Sequence, residues 1–172
     1  MANTSRTIRE GIIVGLIGYF SVAALYAAFD LIAARGALYT VDLLGKTVFR
    51  GLRDPSVLGL PMQLDMTAIF WYNALHLVIS LVIGLIVTGL VELAEQRPAQ
   101  ARLVLFTIVG GFVVTIAVVG LLTAPIRPLL PWWSIVVANS LAVLLAGRYL
   151  VKKRPGIWRR LSPFARPVSA NG

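Results

Sequence analysis

Met66-Thr-Ala-Ile-Phe-Trp-Tyr-Asn73-Ala-Leu-His76-Leu-Val-Ile-Ser80-Leu-Val-Ile-Gly84-Leu-Ile-Val-Thr88-Gly-Leu-Val-Glu92 decides the fold. No residue charged at neutral pH interrupts it before Glu92. Wound as an α-helix at about 1.5 Å per residue, it outreaches the ~30 Å hydrocarbon core of a bilayer and allows some tilt. It therefore reads as a membrane span. Within it sit Asn73 and His76, the only histidine of the chain, where the solvent would otherwise be hydrocarbon.

Composition agrees. Of 172 residues, 58% are hydrophobic and only 13% charged, against about 25% charged in an ordinary soluble domain. One bundle uses most of the chain, so no second folded domain is expected. Cysteine is absent, which excludes disulfides, thiolate metal sites and lipid attachment through sulfur. With one histidine and seven acids, a mononuclear metal site in one protomer is not expected. The net charge of +9 flanks apolar segments and has no aromatic platform or binding motif beside it. Anionic headgroups, not nucleic acid, are its expected counter-ions.

Three more spans lie outward from the first. Residues 1–10 form a polar N-terminal segment and 11–34 a span. Its apolar run is about twice a signal-peptide h-region and lacks a clean small-x-small cleavage site. Gly11 and Gly15 make a small-xxx-small pair suited to close helix approach. Residues 35–65 are too polar to cross. There Val41, Leu44, Val48 and Leu52 recur at helical spacing opposite Asp42, Lys46, Arg50 and Arg53. That pattern fits either a helix lying in the membrane interface or one covering the end of the bundle. Asp54-Pro55-Ser56 and Gly59-Leu60-Pro61 then turn the chain back. After the 66–92 span come a 93–102 connector broken by Pro98, a span at 103–124 slimmed by Gly110, Gly111 and Gly120, and a turn at 125–131 carrying three prolines. The last span, 132–151, leads into a basic tail, 152–172, with a short amphipathic piece at Gly156 to Leu161. The expected fold is all-α: a four-transmembrane-helix bundle with an amphipathic helix between the first two spans.

Eleven of the sixteen lysines and arginines fall on the side of the two termini and the 93–102 connector. By the positive-inside rule both termini are cytoplasmic, as in a bacterial-type inner-membrane protein. Trp71, Tyr72, Trp132 and Trp133 mark the opposite interface. Lys152, Lys153, Arg154, Arg159 and Arg160 are expected to anchor in lipid headgroups, and Arg148 to snorkel towards them.

Depth counted from the outer ends puts polar groups of all four spans in one leaflet. Asp30 lies about 6 Å deep, Asn73 and Asn139 about 10 Å, Tyr26 about 12 Å, and His76 and Thr115 about 15 Å. Polar groups in hydrocarbon turn inward. Asn73, His76, Ser80, Gly84 and Thr88 step by three or four residues, which makes one internal stripe. Three readings of this layer stay open. The groups are interhelical hydrogen-bond glue; or Asp30, Tyr26, Asn73 and His76 pass protons or a solute; or His76 ligates a haem or donates to a quinone, with Met62, Met66 or a second chain completing the site. Asp30 has a further reading, facing headgroups and water at the span end.

No catalytic residue is assigned, because no nucleophile–base motif, phosphate loop, His-Glu-x-x-His or hydrolase-type carboxylate pair occurs. The expected function is binding: an accessory or assembly subunit of a larger membrane complex, or a homo-oligomer, with Gly11/Gly15 and Gly110/Gly111 offering faces to partner helices. Transport or proton conduction is the alternative, and haem or quinone binding the second.

Overall fold

The structure, a computed structural model, describes residues 2–58 and 63–161, less the side chains of 2, 3, 57, 58 and 160. Among the described residues all regular structure is helical: α1 (Ala2–Ile32), α2 (Tyr39–Phe49), the single turn α3 (Pro55–Leu58), α4 (Met66–Gln96), α5 (Ala101–Leu122), α6 (Trp132–Lys153) and α7 (Ile157–Leu161). Helices α1, α4, α5 and α6 are each long and apolar enough to cross a membrane. The chain is a multi-pass all-α protein. The expected turn at 59–61, Met62, the Arg160 side chain and residues 162–172 of the tail lie outside the described residues.

The helices overrun the apolar segments. α1 starts at Ala2, nine residues before the apolar run at Gly11, because Arg6, Thr7, Arg9 and Glu10 are compatible with helix and one face of them packs on other elements. α4 continues past Glu92 to Gln96 for the same reason. Chain-reversing geometry sets the ends. α1 closes with Ala34 in the left-handed region at φ 54°, the Ala34 N–H donating to Leu31 O and the Arg35 N–H to Asp30 O, the Schellman pattern usually built on glycine. α4 opens on Asp65, whose carboxylate accepts the Ala68 N–H at 2.9 Å, occupying one of the helix's orphan donors.

The centre of the bundle is the α1–α4 crossing. A methyl on Gly15 would stand 2.7 Å from Leu81 Cα and from Ser80 O, and one on Gly11 would stand 2.9 Å from Leu85 Cα. A methyl on Gly84 would fall on the backbone of both Gly11 and Gly15. Three glycines thus let two backbones meet, the arrangement by which membrane helices gain dispersion contacts without a hydrophobic driving force. Thr88 lies fully buried one turn further on. The stripe read from the sequence is this seam. Gly11 and Gly15, expected as a face for a partner helix, are already occupied by α4.

At one end of the bundle, Val91, Ala94, Ala101, Val104, Leu150 and Ile157 form a small core. At the other, Leu43 and Leu44 of α2 pack with Ile126 and Leu130 of the α5–α6 turn. That turn is therefore a plug, with Ile126 fully buried in a 3-10 turn, Ala124–Ile126.

α2 covers this end of the bundle. Gly45 lies so close to α4 that a methyl there would come within 2.7 Å of Ala68 O. The expected faces are partly reversed: Leu44 is buried, but Val48 and Leu52 are exposed, while Asp42 and Lys46 face inward. The buried charges are tolerated because each is fully engaged. Lys46 Nζ donates to Asp42 Oδ2 at 2.5 Å and to Gln63 O at 2.9 Å, and Asp42 Oδ1 accepts the Asp65 N–H at 2.8 Å.

Candidate functional site

A recess of about 190 Å³ opens among α1, α2 and α4. Tyr26, Asp30, Asn73 and His76, four of the six polar residues singled out in the sequence, line it together with Tyr72 and Thr40. The spacing of Asn73 and His76 on α4 and of Tyr26 and Asp30 on α1 puts each pair about one helical turn apart on one face.

Their hydrogen bonds differ. Asp30 is fully buried, not facing headgroups or water. It accepts the Thr40 N–H at 2.7 Å, the Thr40 hydroxyl at 2.8 Å and Arg35 Nη2 at 3.2 Å. Since Thr40 belongs to the first turn of α2, Asp30 caps that helix from α1, where the α2 N-cap residue Leu38 offers no side-chain acceptor. Arg35 is held in turn between the rings of Phe29 and Tyr39, 5.0 and 4.5 Å from their centroids. The Tyr26 hydroxyl meets Ser134 Oγ at 3.2 Å, and that hydroxyl donates to Pro131 O at 2.7 Å, so Tyr26 ties α1 to α6. Asn73 accepts the Tyr19 hydroxyl at 3.0 Å and donates to Ile69 O at 2.9 Å.

His76 stands apart. Half-buried, it has the ring of Tyr19 at 5.2 Å and that of Tyr72 at 6.2 Å, but no hydrogen-bond partner among the described residues. Its ring nitrogens, like the Tyr72 hydroxyl beside them, carry no hydrogen bond among the described residues. No hydrogen-bonded chain joins His76 to Asp30 among the described residues.

Asn139 and Thr115 do not join the group. The Asn139 amide donates to Ile135 O at 2.8 Å and the Thr115 hydroxyl to Gly111 O at 2.8 Å, each within its own helix. Local back-bonding satisfies both without an interhelical partner. The polar layer is thus built by α1, α2 and α4, with α6 contributing Ser134.

A second polar centre lies where α1 begins and α6 ends, and no one stretch of the sequence marks it. Arg154, expected to anchor in headgroups, is 2% exposed and turns into the protein instead. Its guanidinium reaches Glu10 at 2.7 Å and Glu92 and Glu95 at 2.5 Å each, joining the end of α6 to α1 and α4. Burial alone would favour losing its proton; the three carboxylates outweigh that and hold it charged. Glu10 also takes Arg6 at 2.8 Å, and Glu92 accepts the Thr7 hydroxyl at 3.2 Å. The available signal was depth, since all these residues lie beside span ends on one side. Lys152, Lys153 and Arg159 are exposed, as headgroup anchors require.

Among the described residues no three His, Asp or Glu side chains converge as metal ligands would. Comparison with protein-family models, with curated proteins and with solved structures finds no match to this chain.

Proposed function

We propose that this protein resides in a bacterial-type inner membrane with both termini in the cytoplasm. It acts there by binding, not catalysis: as an accessory or assembly subunit of a larger membrane complex, or as a homo-oligomer. The contact surface is the outer face of α5. One observation carries this reading. α5 is apolar along its length, yet its only buried residues are Ala101 and Val104 in its first turn. Gly110, Gly111 and Gly120 have nothing within 4 Å of where a side chain would begin. The same residue type that closes the α1–α4 seam is presented outward on α5 beside Phe106, Val113 and Leu121.

The orientation rests on charge. Eleven lysines and arginines fall in the N-terminal segment, the connector between α4 and α5 and the segment from the last turns of α6 onward, against five on the other side.

Purification in mild detergent tests the proposal. A stoichiometric companion or a defined homo-oligomer, lost on Gly111→Leu, is the expected result; a monodisperse monomer without a companion contradicts it.

The open nitrogens of His76 favour a second reading, a solute or proton path through the recess. Asp30, whose carboxylate accepts from Thr40 and Arg35, has no hydrogen-bonded link to His76 among the described residues. At about 190 Å³ the recess falls below the ~300–1,000 Å³ usual for drug-sized ligands and suits several waters better than a haem or quinone. Unchanged flux from His76→Ala protein in vesicles removes the transport reading.

A further inference from the structure

A groove of about 620 Å³ runs along the outside of the bundle at the termini end, between the last turns of α6 and the start of α7. Two rows of α6 side chains form its floor. Val143, Gly147 and Val151, four residues apart, make an apolar track, and beside it Arg148 and Lys152 make a cationic one. Gly147 has nothing within 4 Å of its missing side chain, which keeps the track open. Trp158 forms the wall.

The wall is fixed by the turn before α7. Gly156, at φ +99°, reverses the chain, a conformation that side chains rarely adopt. Ile157 then drops into the core formed by Val91, Ala94 and Leu150, so that its neighbour Trp158 projects outward. Among the described residues neither Arg148 nor Lys152 has an ion-pair or hydrogen-bond partner. They differ in this from Arg154, two residues beyond Lys152, which holds three carboxylates. Arg148 lies about 7 Å back along α6 from its end at Lys153.

We propose that this groove binds one anionic phospholipid, its phosphate between Arg148 and Lys152 and an acyl chain along Val143, Gly147 and Val151 against Trp158. The charge complementarity chooses the occupant. A partner helix would leave two cations unpaired in hydrocarbon, whereas a phosphodiester neutralises them and its chain fills the track. No residue of the Arg154 cluster and none of α5 lines the groove.

The test is thermal stability in a neutral detergent, titrated with phosphatidylglycerol, phosphatidylcholine or glycerol phosphate. Phosphatidylglycerol alone is expected to raise the melting temperature saturably. Arg148→Gln with Lys152→Gln should weaken the apparent affinity roughly 20- to 30-fold, about fivefold for each cation removed. Gly147→Leu, which keeps both charges but fills the track, should weaken it too. Arg97→Gln with Arg102→Gln, two exposed cations at the same end, should leave it unchanged. Each variant's melt without lipid reports whether it folds. Equal stabilisation by phosphatidylcholine or glycerol phosphate, or an equal loss in the Arg97/Arg102 variant, overturns the proposal.

Discussion

The α1–α4 crossing and the outer face of α5 use the same residue type to opposite ends. At the crossing, Gly11, Gly15 and Gly84 are pressed against each other's backbones. On α5, Gly110, Gly111 and Gly120 meet nothing. In lipid a glycine gains nothing from exposure and lowers helix propensity by about 1 kcal/mol relative to alanine. The crossing teaches what such glycines do when a second helix reaches them, and α5 shows the same means without the second helix.

Substitution at the crossing should have the largest effect. Gly84→Leu drives a side chain into the α1 backbone and is expected to cost about 3 kcal/mol or more, or to prevent recovery of folded protein. A denaturant titration of reconstituted protein measures it. Arg154→Ala, which removes the cation that Glu10, Glu92 and Glu95 share where α6 meets α1 and α4 and leaves the buried Glu10 only Arg6, should cost about 3 kcal/mol. Smaller still, Tyr26→Phe removes the α1–α6 tie through Ser134 and is expected to cost about 0.6–1 kcal/mol in the same titration. Gly111→Leu, on the open face, should change the stability of the isolated chain by no more than about 0.5 kcal/mol. Its effect belongs to assembly. If Gly84→Leu and Gly111→Leu destabilise the isolated chain equally, the contrast between the two regions is lost.

The smallest expected effect lies outside the spans. Arg50, and then the Ala68 N–H, hold the Asp65 carboxyl down from 3.8 to about 2. A depressed carboxylate stabilises the fold above its unfolded value and loses that contribution as pH falls towards its folded one. Melting temperature should therefore drop between about pH 4 and pH 2, and Asp65→Asn should flatten part of that drop.

The spans were legible because a bilayer demands long apolar runs, and the seam because Asn73, His76, Ser80, Gly84 and Thr88 repeat at the helical period. Pairings across distant sequence were not. Arg154 reads as one more tail cation until Glu10, 144 positions earlier, is placed beside it. Asp30 reads as a carboxylate facing headgroups and water until α2 folds back and Thr40 donates to it twice. In α2 the two rows are partly exchanged, Val48 outward and Asp42 and Lys46 inward, because a matched Asp42–Lys46 pair with backbone partners is buried beside the apolar socket that Leu43 and Leu44 fill. Tyr19, which reaches both Asn73 and His76, carried one usable signal: it lies seven residues from Tyr26, on the same face of α1.

Phe20 and Phe106 offer the most direct test. Both are exposed on spans, at 61% and 71%, the first on α1 and the second on α5. With a photoreactive phenylalanine analogue at each position in turn, irradiation of native membranes should yield discrete protein adducts from position 106. From position 20 it should yield lipid adducts alone. Protein adducts absent from 106, or equally abundant from 20, would contradict the claim that α5 is where this protein meets its partner.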